Sequence, residues 1–403
     1  MIRNLSPLRS KSFRISSSQS NVSNSSDFKD KISEILQSLK AKNQYRTLTK
    51  ISSQGPTVSI DGKSYVSFAS NDYLGLSIDR EIIQQAQRIF QDHGIGSGSS
   101  RLVSGNHDLY EELESSIATF KNSEGCLVFG SGYLANLGVI QSLMGSDDLI
   151  LLDRLSHNSL FSAAKLTKST LKIFEHNSLT SLSNRLEKYR KNYRNCLVVT
   201  ESVFSMDGDL SPYDHLHKIC SQHNATLMID DAHGLGVINN GKGASFGHAL
   251  PSNTILTGTL SKAIGSYGGY VCANTSVIDL LTNKANTLIY STSLPPFVIA
   301  AANLSLKKIR ENGEIVKTLS EKIDLFKQSI GIDSDSAIFP FKFNDEHDAI
   351  NASDHLKKFG FFVPAIRPPT VPKNGSRLRF SLSAIHDEHS LKRCAEVLLD
   401  YVS

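Results

Sequence analysis

The chain has 403 residues, 39% hydrophobic and 20% charged, the size and composition of two or three folded units whose core needs no disulfide staples. The first 26 residues hold ten serines, the bases Arg3, Arg9, Lys11 and Arg14, and no acid; removing those four from the 43 Lys and Arg leaves as many bases as the 39 acids. A neutral body argues against a nucleic-acid face. The nearest approach to a membrane span, Leu288 to Leu306, is broken by Ser291, Thr292, Ser293, Pro295 and Pro296, so no span is expected.

Residues 1–26 have the composition of an organelle import presequence, but Ser16 to Ser26 carries little apolar periodicity. The expectation is a disordered tail on a cytoplasmic protein, with mitochondrial targeting as the alternative. The cysteines Cys126, Cys196, Cys220, Cys272 and Cys394 are scattered and form no C-x-x-C. That pattern fits free thiols in a reducing compartment better than bridges or zinc.

Asp27 to Leu39 reads as a helix with Phe28, Ile32, Ile35, Leu36 and Leu39 on one stripe. Val58 to Phe68, interrupted at Asp61-Gly62, reads as a hairpin. A Gly/Ser-rich loop spans Gly94 to Gly105. Asp108 then reads as the cap of a helix carrying Leu109, Leu113, Ile117 and Phe120. From Cys126 onward short β-rich runs alternate with helical segments: Cys126–Phe129, Leu149–Asp153, Leu171–Phe174, Cys196–Thr200, Thr226–Asp231, Thr254–Thr259 and Gly269–Ala273. Such alternation predicts a mainly parallel sheet covered by helices. Beyond Pro295-Pro296 a long helix and strands around Phe339–Phe343 and Leu378–Leu382 predict a smaller α+β unit.

Three segments carry chemistry. In Thr226 to Gly236 an apolar strand ends in Asp230, Asp231 and His233, at the strand end where α/β sheets bind ligands. A carboxylate there suits a ring nitrogen, a metal, or simple capping of the next turn. In Thr254 to Gly269 a strand leads to Thr259, Ser261 and Lys262 among glycines. A lone lysine is usually a solvated charge; in such a loop its amine can reach inward and serve as a Schiff-base nucleophile. In Cys126 to Leu137 a strand passes through Gly130, Ser131 and Gly132 into a helix, either a phosphate cradle or a plain tight turn. Together these are the parts that a pyridoxal phosphate site requires.

The motifs SNDYLGL (Ser70–Leu76), GSGSSRLVSG (Gly96–Gly105), DRLSHNS (Asp153–Ser159), TESVFSMDGD (Thr200–Asp209), DDAHGLGV (Asp230–Val237) and TLSKAIGSYGG (Thr259–Gly269) resemble those of the α-oxoamine synthases. These are pyridoxal-phosphate enzymes of the aspartate-aminotransferase (type I) fold. The resemblance covers about residues 30–400. LIYSTSLPP (Leu288–Pro296) and AIRPPTVPKNGSRLRFSLSAIH (Ala365–His386) are similar to the biotin-pathway branch, Ile366 to Thr370 most tellingly. The resemblance implies an α/β fold with a large, mainly parallel seven-stranded sheet domain and a smaller C-terminal α+β domain. The boundaries expected are a tail at 1–26, an N-terminal arm at 27–70, a cofactor domain at 71–296 and a C-terminal domain at 297–403.

The resemblance also implies roles. Lys262 holds the cofactor as an internal aldimine and then removes the amino acid's Cα proton. Asp230 pairs with the pyridine nitrogen, His157 stacks on the ring, and His233 and Ser205 bond its 3′ oxygen. Gly132, Tyr133 and Thr259 meet the phosphate, joined by Ser291 and Thr292 from the partner subunit of a homodimer; strand-end capping is their alternative. Thr370 binds substrate, and Asn71 and Glu201 lie near the reacting carbon. Arg377 and Arg379 share one strand face, so period two does not choose between them; the resemblance selects Arg379 for the substrate carboxylate. Arg46 is expected to meet the acyl substrate, with Tyr45 as the other register. The implied reaction joins L-alanine to a pimeloyl thioester, pimeloyl-CoA or pimeloyl-acyl carrier protein, with loss of carbon dioxide. Glycine with acetyl-CoA (glycine C-acetyltransferase) or with succinyl-CoA (5-aminolevulinate synthase) uses the same machinery. Regulatory relatives lack the lysine that is present here as Lys262.

Overall fold

The computed structural model describes residues 28–42 and 44–403. It divides into two compact units after Leu48. In the first, the helix Phe28–Ala41 is followed by residues 44–48. Its stripe of Phe28, Ile32, Ile35 and Leu36 forms at the expected spacing and is exposed. The expectations for the tail and for Asp27 lie outside the described residues.

The second unit, 49–403, contains three sheets. Strands β1 (Ser52–Gln54), β2 (Thr57–Ile60) and β3 (Lys63–Ser67) form an antiparallel meander. The β2–β3 turn has Asp61 at φ 52° and Gly62 at φ 77°, the pair of left-handed residues that a two-residue hairpin needs.

The large sheet consists of β4 (Gly125–Phe129), β5 (Leu149–Asp153), β6 (Thr170–Phe174), β7 (Cys196–Glu201), β8 (Thr226–Asp230), β9 (Thr254–Thr259) and β10 (Gly269–Ala273). Its order is β4-β10-β9-β8-β7-β5-β6. All neighbours are parallel except β10, which runs antiparallel to both β4 and β9. Leu149, Leu151 and Val198 face one buried layer, and Ile150, Leu152, Leu197 and Val199 face the other. Burial on both faces is why these strands read as continuous apolar runs. The seven strands lie within two residues of the sequence expectation.

Two details differ. Asp108 is the first residue of the helix Asp108–Phe120, and His107 is its cap. The acid accepts the Leu109 N–H at 3.0 Å, a first-turn position that also offsets the helix dipole. The loop Gly94–Gly105 closes with a helical turn, Arg101–Gly105. Arg101 fixes that turn by a two-pronged bond to Glu114 at 2.5 and 3.0 Å, 4.0 Å above the Tyr110 ring.

Towards the C-terminus, β11 (Ile338–Lys342), β12 (Phe361–Phe362), β13 (Ala365–Ile366) and β14 (Arg377–Ser381) follow. β11, β14 and β13 form an antiparallel sheet, with the helix Glu346–Lys358 against β13 and β14 and the helices Glu314–Ile330 and Glu388–Val402 packed together beside it; the helix Pro296–Glu311 packs on Arg80–His93 and Asp108–Phe120. β12 instead pairs in parallel with β3. The chain after the hairpin is tied to the end of β14: Ser381 N–H donates to Phe68 O, Ala384 N–H to Tyr73 O, and the Ser383 hydroxyl to Asp72 O, at 2.7–2.8 Å. These bonds bring Asn71 and Tyr73 beside Arg379. Among the described residues no helix is long and apolar enough to cross a membrane.

Candidate active site

In the large sheet the chain turns outward from β5 to β6, then returns to β5's other side as β7 and continues to β8 and β9. Ligands in such sheets bind beyond the carboxyl ends of the strands at this reversal. The ends there are Asp153, Glu201, Asp230 and Thr259, and the expected residues follow from them.

Lys262 lies three residues past β9. Its Nζ is 2.8 Å from Nε2 of His233, whose Nδ1 is 2.5 Å from the Tyr73 hydroxyl. Burial lowers the Lys262 pKa to about 8, against the pull of Asp230 and Glu201. Burial, reinforced by the charges of Lys262 and Arg379, holds His233 well below the ordinary imidazole range, so the ring is neutral. Burial pushes the Tyr73 phenol up to about 12. A buried lysine that changes charge near neutral pH is equipped to hold and release a proton.

Asp230 accepts from Asn136 Nδ2 at 2.7 Å and from the Ala232 N–H at 3.0 Å. The turn-capping contact and the inward-facing carboxylate therefore coexist. Its neighbour Asp231 is spent on structure: it pairs with the fully buried Lys121 at 2.5 Å and accepts from Ser202 and the Ala244 N–H. No metal-binding cluster occurs among the described residues. Glu201 is in register with Asp230 on the adjacent strand. Burial, and then repulsion from Asp230, raise its pKa well above the usual carboxylate range, against the pull of the Lys262 charge. Its Oε1 accepts the His157 N–H at 2.5 Å. His157 caps the helix Asn158–Leu166 with an exposed ring, its pKa lowered by desolvation and by the Lys262 charge against the pull of Asp230.

The two arginines of β14 part company. Arg377 binds Asp207 at 2.7 Å and the carbonyls of Met206 and Gly375. Arg379 bonds the Ser205 carbonyl, Asn71 Oδ1 and Ser381 Oγ at 2.5–3.1 Å. Its Nη2 is buried without a partner, a donor aimed at an absent acceptor. Spacing alone does not show this difference in partners.

At the other end, Ser131 caps the helix Gly132–Leu143 through the Leu134 N–H. A Cβ on Gly269 would lie 2.4 Å from Gly132 N, so a glycine is required there, and one on Gly132 would lie a tight 3.3 Å from the Thr259 Cβ. Gly132, Tyr133 and Thr259 therefore gather at one helix N-terminus, an anion-binding geometry.

Three expected residues are not gathered with these. Thr292 is exposed and bridges Ser100, and Ser291 precedes it; among the described residues neither bonds Lys262, Asp230 or His233. Thr370 is exposed after Pro368-Pro369, its N–H on Arg367 O. Arg46 is exposed in the first unit, to which the geometry of 49–403 does not speak. Sequence reasoning missed Tyr73, Asn136, Ser159 and Lys121. Tyr73 sits inside the SNDYLGL motif and Ser159 ends the DRLSHNS motif, so their positions carried a signal; Lys121 gave none.

The aminotransferase class I and II family profile matches residues 63–398. The 8-amino-7-oxononanoate synthase of Beijerinckia indica is 43% identical over 85% of this chain and 90% of its own length. Among solved structures, a serine palmitoyltransferase from S. paucimobilis with a bound PLP–myriocin aldimine has a TM-score of 0.84 at 27% identity, covering 92% of this chain and 96% of that one. The 8-amino-7-oxononanoate synthase of Francisella tularensis has a TM-score of 0.72 at 28% identity, covering 84% and 98%. This chain therefore belongs to the aminotransferase class I and II family, in its α-oxoamine synthase branch.

Proposed function

We propose that the protein is a pyridoxal-phosphate-dependent acyltransferase of biotin biosynthesis. It condenses L-alanine with a pimeloyl thioester, on coenzyme A or acyl carrier protein, to give 8-amino-7-oxononanoate, carbon dioxide and free thiol. The observation that carries the reading is Lys262: a buried amine with its pKa lowered to about 8, joined through His233 and Tyr73 to Asn71 and Arg379. The 43% identical relatives support the choice of reaction.

The residues fit the cofactor. Lys262 is the tether, Asp230 the partner for a ring nitrogen, His157 an exposed ring to lie over the cofactor, and the Gly132 helix end the phosphate seat. When bound, pyridoxal phosphate supplies a carbonyl for the amino group and a ring that takes up the electrons left at Cα. The chain does the rest. Arg379 Nη2, with Asn71 beside it, holds the amino acid's carboxylate. Lys262 Nζ takes the Cα proton and later returns one. Asp230 places its carboxylate opposite the ring nitrogen.

Ser205 and His233 are assigned to the ring's 3′ oxygen, Thr259 and Tyr133 to the phosphate, Arg46 to the acyl substrate and Thr370 to substrate. Ser291 and Thr292 are assigned to the phosphate of the opposite protomer in a homodimer. The cytoplasm is the compartment proposed, in keeping with five free, buried cysteines. The test is a substrate panel: alanine, glycine and serine, each with pimeloyl-, acetyl-, succinyl- and palmitoyl-CoA, read by product mass. Alanine with pimeloyl-CoA should be turned over fastest. Faster turnover of glycine with acetyl-CoA, or of serine with palmitoyl-CoA, would remove the biotin-pathway assignment and leave the family standing.

A further inference from the structure

The two site histidines each meet a donor or acceptor that decides where the ring proton sits. At His157 the backbone N–H of Ser159 donates to Nδ1 at 3.2 Å. A ring nitrogen that accepts an N–H carries no proton, so the proton of the neutral ring is on Nε2. The Ser159 hydroxyl stands 2.8 Å from the same Nδ1 and donates to it as well. It can do so because its own lone pair receives Asn136 Nδ2 at 2.9 Å. The orientation of Asn136 is settled in turn, since its amide also donates to the Asp230 carboxylate and its Oδ1 takes the Thr257 hydroxyl at 2.7 Å.

At His233 the constraints run the other way. Lys262, while charged, has three donors and no acceptor, so the Nε2 facing it at 2.8 Å is bare. The ring proton is then on Nδ1 and is donated to the Tyr73 oxygen. The phenol proton in turn goes to Asn71 Oδ1 at 3.2 Å, which also receives Arg379 Nη1 at 3.1 Å. Each link from Lys262 through His233 and Tyr73 to Asn71 Oδ1 thus pairs one donor with one acceptor. The phenol's high pKa, about 12, keeps its proton available.

We propose that Tyr73 and Ser159 are positioning residues that hold the two site histidines in opposite tautomers, Nδ1–H at His233 and Nε2–H at His157. His157 therefore presents a donor to whatever lies against it, and His233 presents an acceptor that supports charge on Lys262. No bound group enters this assignment, so it stands or falls apart from the proposed reaction.

Neutron diffraction from crystals of the ligand-free, deuterium-exchanged protein at neutral pH reads the protons directly. Deuterium is expected on His233 Nδ1 and His157 Nε2. Deuterium on the opposite nitrogen of either ring, or on both nitrogens, overturns the proposal. A second measurement uses Tyr73→Phe, which keeps the shape and removes the acceptor for Nδ1–H. The His233 proton should then move to Nε2, where it opposes the Lys262 ammonium. In the cofactor-free protein, the midpoint for acetylation of Lys262 by acetic anhydride, followed by mass spectrometry, should fall by about one pH unit, the scale of one charged hydrogen bond. Asp230, Glu201 and Arg379 also act on Lys262, but equally in both proteins. An unchanged midpoint in a folded Tyr73→Phe protein rejects the role of Tyr73. If that variant does not fold, the neutron result on the unaltered chain decides.

Discussion

Arg377 and Arg379 lie two residues apart on one strand, both buried, and do different work: Arg377 is neutralised by Asp207, whereas Arg379 faces no carboxylate and keeps Nη2 without a partner. The first anchors the loop after β7; the second is the arginine proposed above to take the amino acid's carboxylate. Arg379→Ala should raise KM for the amino acid at least tenfold, the scale of a lost charged hydrogen bond of about 1.5–3 kcal/mol, and change KM for the thioester less. Arg377→Ala should instead lower the urea midpoint, since it leaves Asp207 with only the more exposed Lys342, at 3.1 Å. Steady-state kinetics and urea melts on the two variants separate the roles; a reversed pattern would exchange them.

Asp230→Asn keeps the contact from Asn136 in shape and removes the negative charge. Turnover should fall by about a hundredfold or more, the scale of one electrostatic stabiliser. Near-normal kcat would hand the task to another group, and Asp231 is not free to take it while paired to Lys121.

Lys121→Met leaves Asp231 buried with an uncompensated charge next to the loop that carries His233. Breaking a buried pair costs about 3–5 kcal/mol, so equilibrium unfolding in urea should show a loss of that order. A loss below about 1 kcal/mol would place the pair among those that contribute little.

His176 bonds Asp153 at 2.9 Å and Asp209 at 2.7 Å, tying the end of β5 to the loop after β7. Burial works against its charge, but the hydrogen bonds and charges of the two aspartates push its pKa up to about 10 from 6.5. The folded chain therefore holds this proton more tightly than the unfolded one. The stabilisation is whole below pH 6.5 and is lost as pH rises towards 10. The stability difference between the unaltered chain and His176→Gln should shrink across that window. A difference independent of pH would mean that the imidazole is neutral in the fold.

Much of this was legible in the sequence, and the limits have physical causes. The strands of the large sheet were legible because burial on both faces makes them apolar throughout, and Gly132 because strand, glycine and helix follow one another locally. The distinction between Arg377 and Arg379 was not, because Asp207 lies 170 residues from one and Asn71 lies 308 from the other. Lys121 looked like any surface lysine, since its partner Asp231 is 110 residues away. Tyr73 and Asn136 are polar groups whose roles exist only once the chain closes. Asp108 was misplaced by one residue because an acid favours both the cap and the first turn.

The central claim is that Lys262 is the amine through which the cofactor is held. Borohydride reduction of the purified holoprotein, followed by peptide mapping, tests it most directly. The pyridoxyl group should appear on the peptide containing Lys262 and be absent from a folded Lys262→Ala protein. A label on a different lysine, or none on a protein that turns over alanine and pimeloyl-CoA, would contradict the account.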